Sequence, residues 1–187
     1  METDGEKVRA SGAGGGYNPT NIQAVIDSAK ARAGMDALER FIRKRLPEAE
    51  EAEVTEAAEV AVEIVDSIPL FLARAWQEAE ERSLLSVAGP LLNLAERYFL
   101  QPVDLIPEMT QGLAGLLDDA YLVIRILEHL DKGPQPFLDW DLDYPARFLR
   151  TLVGPTIARQ LDAMAIDAMQ QVSEHLSDLW TQMSHRA

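Results

Sequence analysis

Residues 97–130 read RYFLQPVDLIPEMTQGLAGLLDDAYLVIRILEHL, and this stretch decides the fold. Two apolar helical runs flank a turn that carries Pro102 and Pro107 with acids at Asp104 and Glu108. Each proline lacks an N–H donor and disfavours helical geometry at the residue before it. Asp104, between them, suits an Asx-turn or a helix cap. Glu108 falls in a first helical turn, where the dipole favours an acid. Asp118 and Asp119 open the second run. Helical spacing puts Asp118 with Tyr121, Leu122 and Arg125, and Asp119 with the apolar Leu122, Val123 and Ile126. The expectation is an Asp118–Arg125 pair, with Asp119 facing the buried side. A buried carboxylate needs a partner: Arg97, an N–H of the 102–107 turn, or a cation.

Working outward, the periodicity is helical throughout. Asn18-Pro19 opens a helix with an apolar stripe at Ile22, Val25, Ile26 and Ala29, ended by Gly34. Asp36 and Glu39 have capping-box spacing for a second helix, which carries the basic run Arg40 to Arg45. From about Glu48 to Ile68 comes a third. Val54, Ala58, Ala61, Val65 and Ile68 form its apolar side, and Glu56, Glu59, Glu63 and Asp66 lie opposite. The acids read as a solvated face or as a docking surface for a basic partner. The bases read as a phosphate or headgroup site, or as partners of the acids that follow them. Pro69 is expected to kink or restart the chain, and Gly89-Pro90 to break it again. Trp76 reads as core.

Beyond the central unit, 131–145 reads as a loop in which Leu138, Trp140 and Leu142 alternate with acids. This predicts an extended segment tucked onto the helices, or an acidic-aromatic interaction motif. A short helix at 146–153 follows. Pro155 then opens the expected longest helix, striped by Ile157, Leu161, Met164, Ala168, Val172, Leu176, Leu179 and Met183. It is long enough to pack on the bundle or to seam an oligomer. Trp140, Tyr144 and Trp180 are candidate interaction residues. The predicted fold is all-α: a Gly-rich tail over 1–17, then one helical bundle domain over 18–187 whose core motif occupies about 84–131.

The order Tyr98, Pro102, Asp104, Leu105, Ile106, Pro107, Gly115, Leu117, Asp118, Asp119 resembles the YkvA-like domain of unknown function (DUF1232), whose core runs P-x-D-L-I-P-D and then G-x-L-D-D. The resemblance covers about residues 97–130 and implies a helical hairpin. It implies no activity. Two departures stand out: Glu108 replaces the second Asp of the turn, and the linker is longer and lacks its proline.

Composition sets the remaining bounds. A net charge of −14 argues against nucleic acid as a partner. With no cysteine, disulfides and thiolate chemistry are excluded. The first residues lack the apolar core of a secretory signal, and no window is long and apolar enough for a membrane span. A cytoplasmic setting is expected. No Gly-rich phosphate loop, H-E-x-x-H, Glu-x-x-His or G-x-S-x-G occurs. These observations predict a non-catalytic interaction or scaffold protein with a protein partner or self-association. One alternative is a Mg²⁺- or Ca²⁺-dependent hydrolase or cation binder using Asp104, Glu108, Asp118 and Asp119. The other is peripheral membrane contact through the hairpin.

Overall fold

The computed structural model describes residues 19–101, 105, 112–132 and 138–184, with side chains to residue 174. The 1–17 tail, Asp104 and Glu108 lie outside the described residues, and so does the side chain of Trp180. Among the described residues there are seven α-helices and no strand. They are α1 (Thr20–Arg32), α2 (Met35–Arg45), α3 (Glu51–Glu81), α4 (Leu85–Leu100), α5 (Leu117–Asp131), α6 (Asp143–Val153) and α7 (Pro155–Ser184). A short 3-10 helix, Gly112–Leu116, leads into α5.

The centre of the bundle is α5. Every residue from Leu117 to Ile124 is buried, as are Ile126 and Leu127. A helix apolar on all sides must be covered on all sides, and α3, α4, α6 and α7 all pack on it. The 3-10 helix is held from the other side by α1 and α2. Its first residue, Gly112, has φ +71°, and a Cβ there would lie 2.9 Å from the carbonyl oxygen of Ala33. Only glycine fits that conformation at that approach.

Two predicted breaks are absent. Pro69 lies inside α3, which runs unbroken for 31 residues, and Pro90 lies inside α4. Each proline deletes one i→i−4 hydrogen bond, at the carbonyls of Val65 and Ser86, without ending its helix. Packing decides the matter: Pro69 is buried, flanked by the fully buried Ile68 and Leu72. As a result α3, at 31 residues, matches α7, which has 30 among the described residues. It ends where Ser83 takes φ +56° and the Leu84 N–H reaches the Ala79 carbonyl at 2.7 Å, a Schellman-type stop. Trp76 is half-buried, with its ring 3.6 Å from a Cβ placed on Gly89.

Other starts shift by a few residues. Gly34 precedes α2, so Asp36 sits inside its first turn rather than at the cap. The capping geometry occurs instead at α3, where the Glu53 carboxylate accepts the Glu50 N–H at 2.7 Å. Helix α6 begins at Asp143, because Pro145 fits a first turn as well as it fits a loop. On α7 the fully buried stripe is Ala158, Leu161, Ala165 and Ala168, while Ile157 and Met164 are only half-buried. Small residues let α7 approach α5 closely.

Residues 138–142, just before α6, are tucked in. Leu138 and Leu142 are buried, Trp140 packs on Phe71 at 5.2 Å between centroids, and Asp139 and Asp141 face outward. No helix among the described residues is long and apolar enough to cross a membrane.

Candidate functional site

Asp118 and Asp119 occupy the first turn of α5, where the helix dipole favours negative charge. They are 3% and 2% exposed. The Asp118 carboxylate accepts the Asp119 backbone N–H at 3.1 Å. Asp119 thus faces the interior as its spacing predicted, and Asp118 is buried as well because α5 is covered all round.

Arg125 does not serve Asp118. Its Nε donates to Asp162 on α7 at 2.8 Å, and its Nη1 pairs with Glu128. Asp162 gathers a network the motif reading missed. Its Oδ1 also accepts the Tyr121 hydroxyl at 2.8 Å, and its Oδ2 accepts Arg150 of α6 at 2.6 Å. Arg150 also donates to the Tyr121 oxygen at 3.0 Å. One carboxylate therefore joins α5, α6 and α7.

The electrostatics follow from that geometry. Burial pushes the Asp162 carboxyl up, but hydrogen bonds from Arg150 and Tyr121 and the charge of Arg125 outweigh it and hold the group below its ordinary value. Burial, reinforced by the bond to Asp162, pushes the Tyr121 hydroxyl up to about 12. At neutral pH Tyr121 is a hydrogen-bond donor and Asp162 an ionised acceptor. Their polar groups are spent on one another, so the network is a clamp between helices rather than an acid–base pair aimed at a substrate.

The sequence contained a signal for Asp162. It stands four residues after Ala158 and beside Leu161, on the core-facing side of α7, where a lone acid calls for a buried cation. Arg97, offered as a partner for Asp119, is exposed and lines a groove between α4 and α7 with Asn93 and Gln171.

Two surface features complete the candidate set. On α3, Glu56, Glu59, Glu63 and Asp66 are all exposed in one row. Lys30 of α1 meets Asp66 at 2.7 Å. Among the described residues no ion pair reaches Glu56, Glu59 or Glu63. On α2, Arg40, Arg43 and Lys44 are exposed, and among the described residues none pairs with the acids of α3. Among the described residues the expected pairing of the two charged runs is not formed at Arg40, Arg43 or Lys44. The two helices are instead joined by Thr55, whose hydroxyl donates to Glu39 at 3.1 Å.

Of the candidate interaction residues, Trp140 is engaged with Phe71, whereas Tyr144 is 56% exposed and stacks on Phe148 at 6.2 Å. No group of three metal-ligating side chains occurs among the described residues.

Residues 94–124 match the family DUF1232, described as a protein of unknown function. The matched DUF1232 segment runs from the last turns of α4 to the middle of α5 and so contains the Asp118-Asp119 pair. Arg125, Arg150 and Asp162 lie outside it. No curated protein and no solved structure matches the chain.

Proposed function

We propose that this chain is a non-catalytic interaction protein that docks a basic partner on the acidic face of α3. The observation that carries this reading is the exposed row Glu56, Glu59 and Glu63. Like charges three and four residues apart repel by a few tenths of a kcal/mol per pair. Nothing among the described residues offsets that repulsion at these three positions. A cationic partner would relieve it, and the field of the row would steer such a partner to the surface.

The DUF1232 segment serves this reading as scaffold. Its aspartates are buried at the head of the central helix, so they support the packing that presents α3.

The test is affinity capture from the organism that makes the protein. The parent chain is compared with a Glu56→Lys, Glu59→Lys, Glu63→Lys variant. All three positions are exposed, so the variant keeps its fold, checked by circular dichroism. The expected result is a stoichiometric basic partner that is lost in the variant and weakens as salt rises. A partner retained equally by both chains would overturn the reading.

A further inference from the structure

The basic run on α2 has a shape that its dipole role does not require. Ala37, Arg40, Phe41, Lys44 and Arg45 line a surface pocket of about 450 Å³. Their spacing of three, one, three and one puts them on a single face of α2. The volume falls within the roughly 300–1,000 Å³ of small-molecule sites.

One of the cations is held in place. The Arg45 guanidinium lies over the Phe41 ring, 5.2 Å from its centroid. Its Nη1 is also 3.8 Å from the point a Cβ of Gly154 would occupy, beside the first turn of α7. Phe41 is itself buried in the core, so the ring that positions Arg45 is fixed. Arg40 and Lys44 stand four residues apart on the same face, both exposed.

Bases in a last helical turn are ordinarily explained by the roughly half negative charge at a helix C-terminus. That accounts for Lys44 and Arg45. It does not account for Arg40, which lies a turn earlier and lines the same pocket. In a chain of net charge −14, acids were available to neutralise Arg40 and Lys44. The exposed row on α3 nevertheless makes no ion pair with Arg40 or Lys44 among the described residues.

We propose that this face of α2 is a binding site for a phosphomonoester. The Arg40 guanidinium fork can offer paired N–H donors to phosphate oxygens, the Lys44 ammonium adds a point charge, and Arg45 adds its positive charge beside them. A dianion suits a pair of exposed cations better than a single carboxylate does. The pocket is larger than a bare phosphate, so it admits the group that carries it. That carrier is either a soluble metabolite or a lipid headgroup.

The test uses the full chain and two probes. Inorganic phosphate is titrated while the backbone amide signals of α2 are followed by nuclear magnetic resonance. In parallel, the protein is sedimented with phosphatidylcholine vesicles with and without phosphatidic acid. An Arg40→Gln, Lys44→Gln variant removes two ligands at exposed positions. An Arg40→Lys, Lys44→Arg variant keeps the charge and shows that any loss is not a loss of fold.

The expected result is saturable shifts confined to α2 and the start of α7. The glutamine variant should bind at least about tenfold more weakly, because each charge-assisted contact is worth that order, and the exchanged variant should bind nearly as well as the parent. Sedimentation that requires phosphatidic acid and fails in the glutamine variant assigns the lipid source. Phosphate binding without sedimentation assigns a soluble one. Shifts absent from α2, or equal affinity in the parent and the glutamine variant, would overturn the proposal.

Discussion

Asp162→Ala removes the acceptor shared by Tyr121, Arg125 and Arg150, and the cost can be worked from their exposures. Tyr121 is 1% exposed, and its hydroxyl loses its acceptor. Leaving a buried donor unmet costs about 1–3 kcal/mol. The Arg125 side chain is 23% exposed and keeps Glu128, so its loss is about 1 kcal/mol. Arg150 is 43% exposed and passes to water, at about 0.5 kcal/mol or less. Because the three share one partner, the terms do not simply add, and about 3 kcal/mol is expected. At about 2–4 °C per kcal/mol for a chain of this size, the melting temperature falls by about 6–12 °C. Tyr121→Phe deletes one donor and leaves both arginines on Asp162, so it costs about 1 kcal/mol and about 2–4 °C. Thermal unfolding at neutral pH, followed by circular dichroism, separates the two variants. If Asp162→Ala melts within about 2 °C of the parent, or no lower than Tyr121→Phe, the three-helix clamp is refuted.

Two further outcomes follow from the same geometry. Gly112→Ala sets an L residue at φ +71° against the Ala33 carbonyl, whereas Gly154→Ala, at φ +85°, meets only the end of the Arg45 side chain. Strain acts at both sites and blockage only at the first, so Gly112→Ala should lose about 2 kcal/mol more by chemical denaturation than Gly154→Ala. The clamp also sets a pH window. The stabilisation from Asp162 is present above its unfolded value of about 3.9 and is lost as pH falls through its lower folded value. That from Tyr121 is present below the unfolded value of about 10 and is lost as pH rises through about 12. Tyr121→Phe should therefore flatten the alkaline limb of a stability–pH curve and leave the neutral plateau in shape.

Local pattern made much of this fold readable, and its failures share one cause. The faces of α3 could be read because Val54, Ala58, Ala61 and Val65 alternate with acids at helical spacing, and burial follows that spacing directly. The tucking of Leu138, Trp140 and Leu142 was equally visible, as was the inward face of Asp119. Pro69 and Pro90 misled because the missing hydrogen bond is a local cost, whereas the packing that keeps each helix whole comes from distant segments. Arg125 misled in the same way. Asp118 is its neighbour on the helix, but Asp162 lies 37 residues on in sequence. Burial of Asp118 required knowing that α5 is central. The charged runs of α2 and α3 are adjacent in sequence, yet among the described residues that adjacency did not pair Arg40, Arg43 or Lys44 with the acids of α3. Arg40, Arg43 and Lys44 on α2 and Glu56, Glu59 and Glu63 on α3 are exposed, while Thr55 and Glu39 join the two helices.

The acidic row of α3 is proposed as the docking surface for a basic partner. Its most direct test is carboxylate–lysine cross-linking of the protein with its captured partner, with the linked peptides located by mass spectrometry. Docking on α3 predicts links from Glu56, Glu59 or Glu63 to lysines of one partner, abolished at high salt. Links that fall on other faces of the bundle and leave the 56–63 segment bare would contradict it.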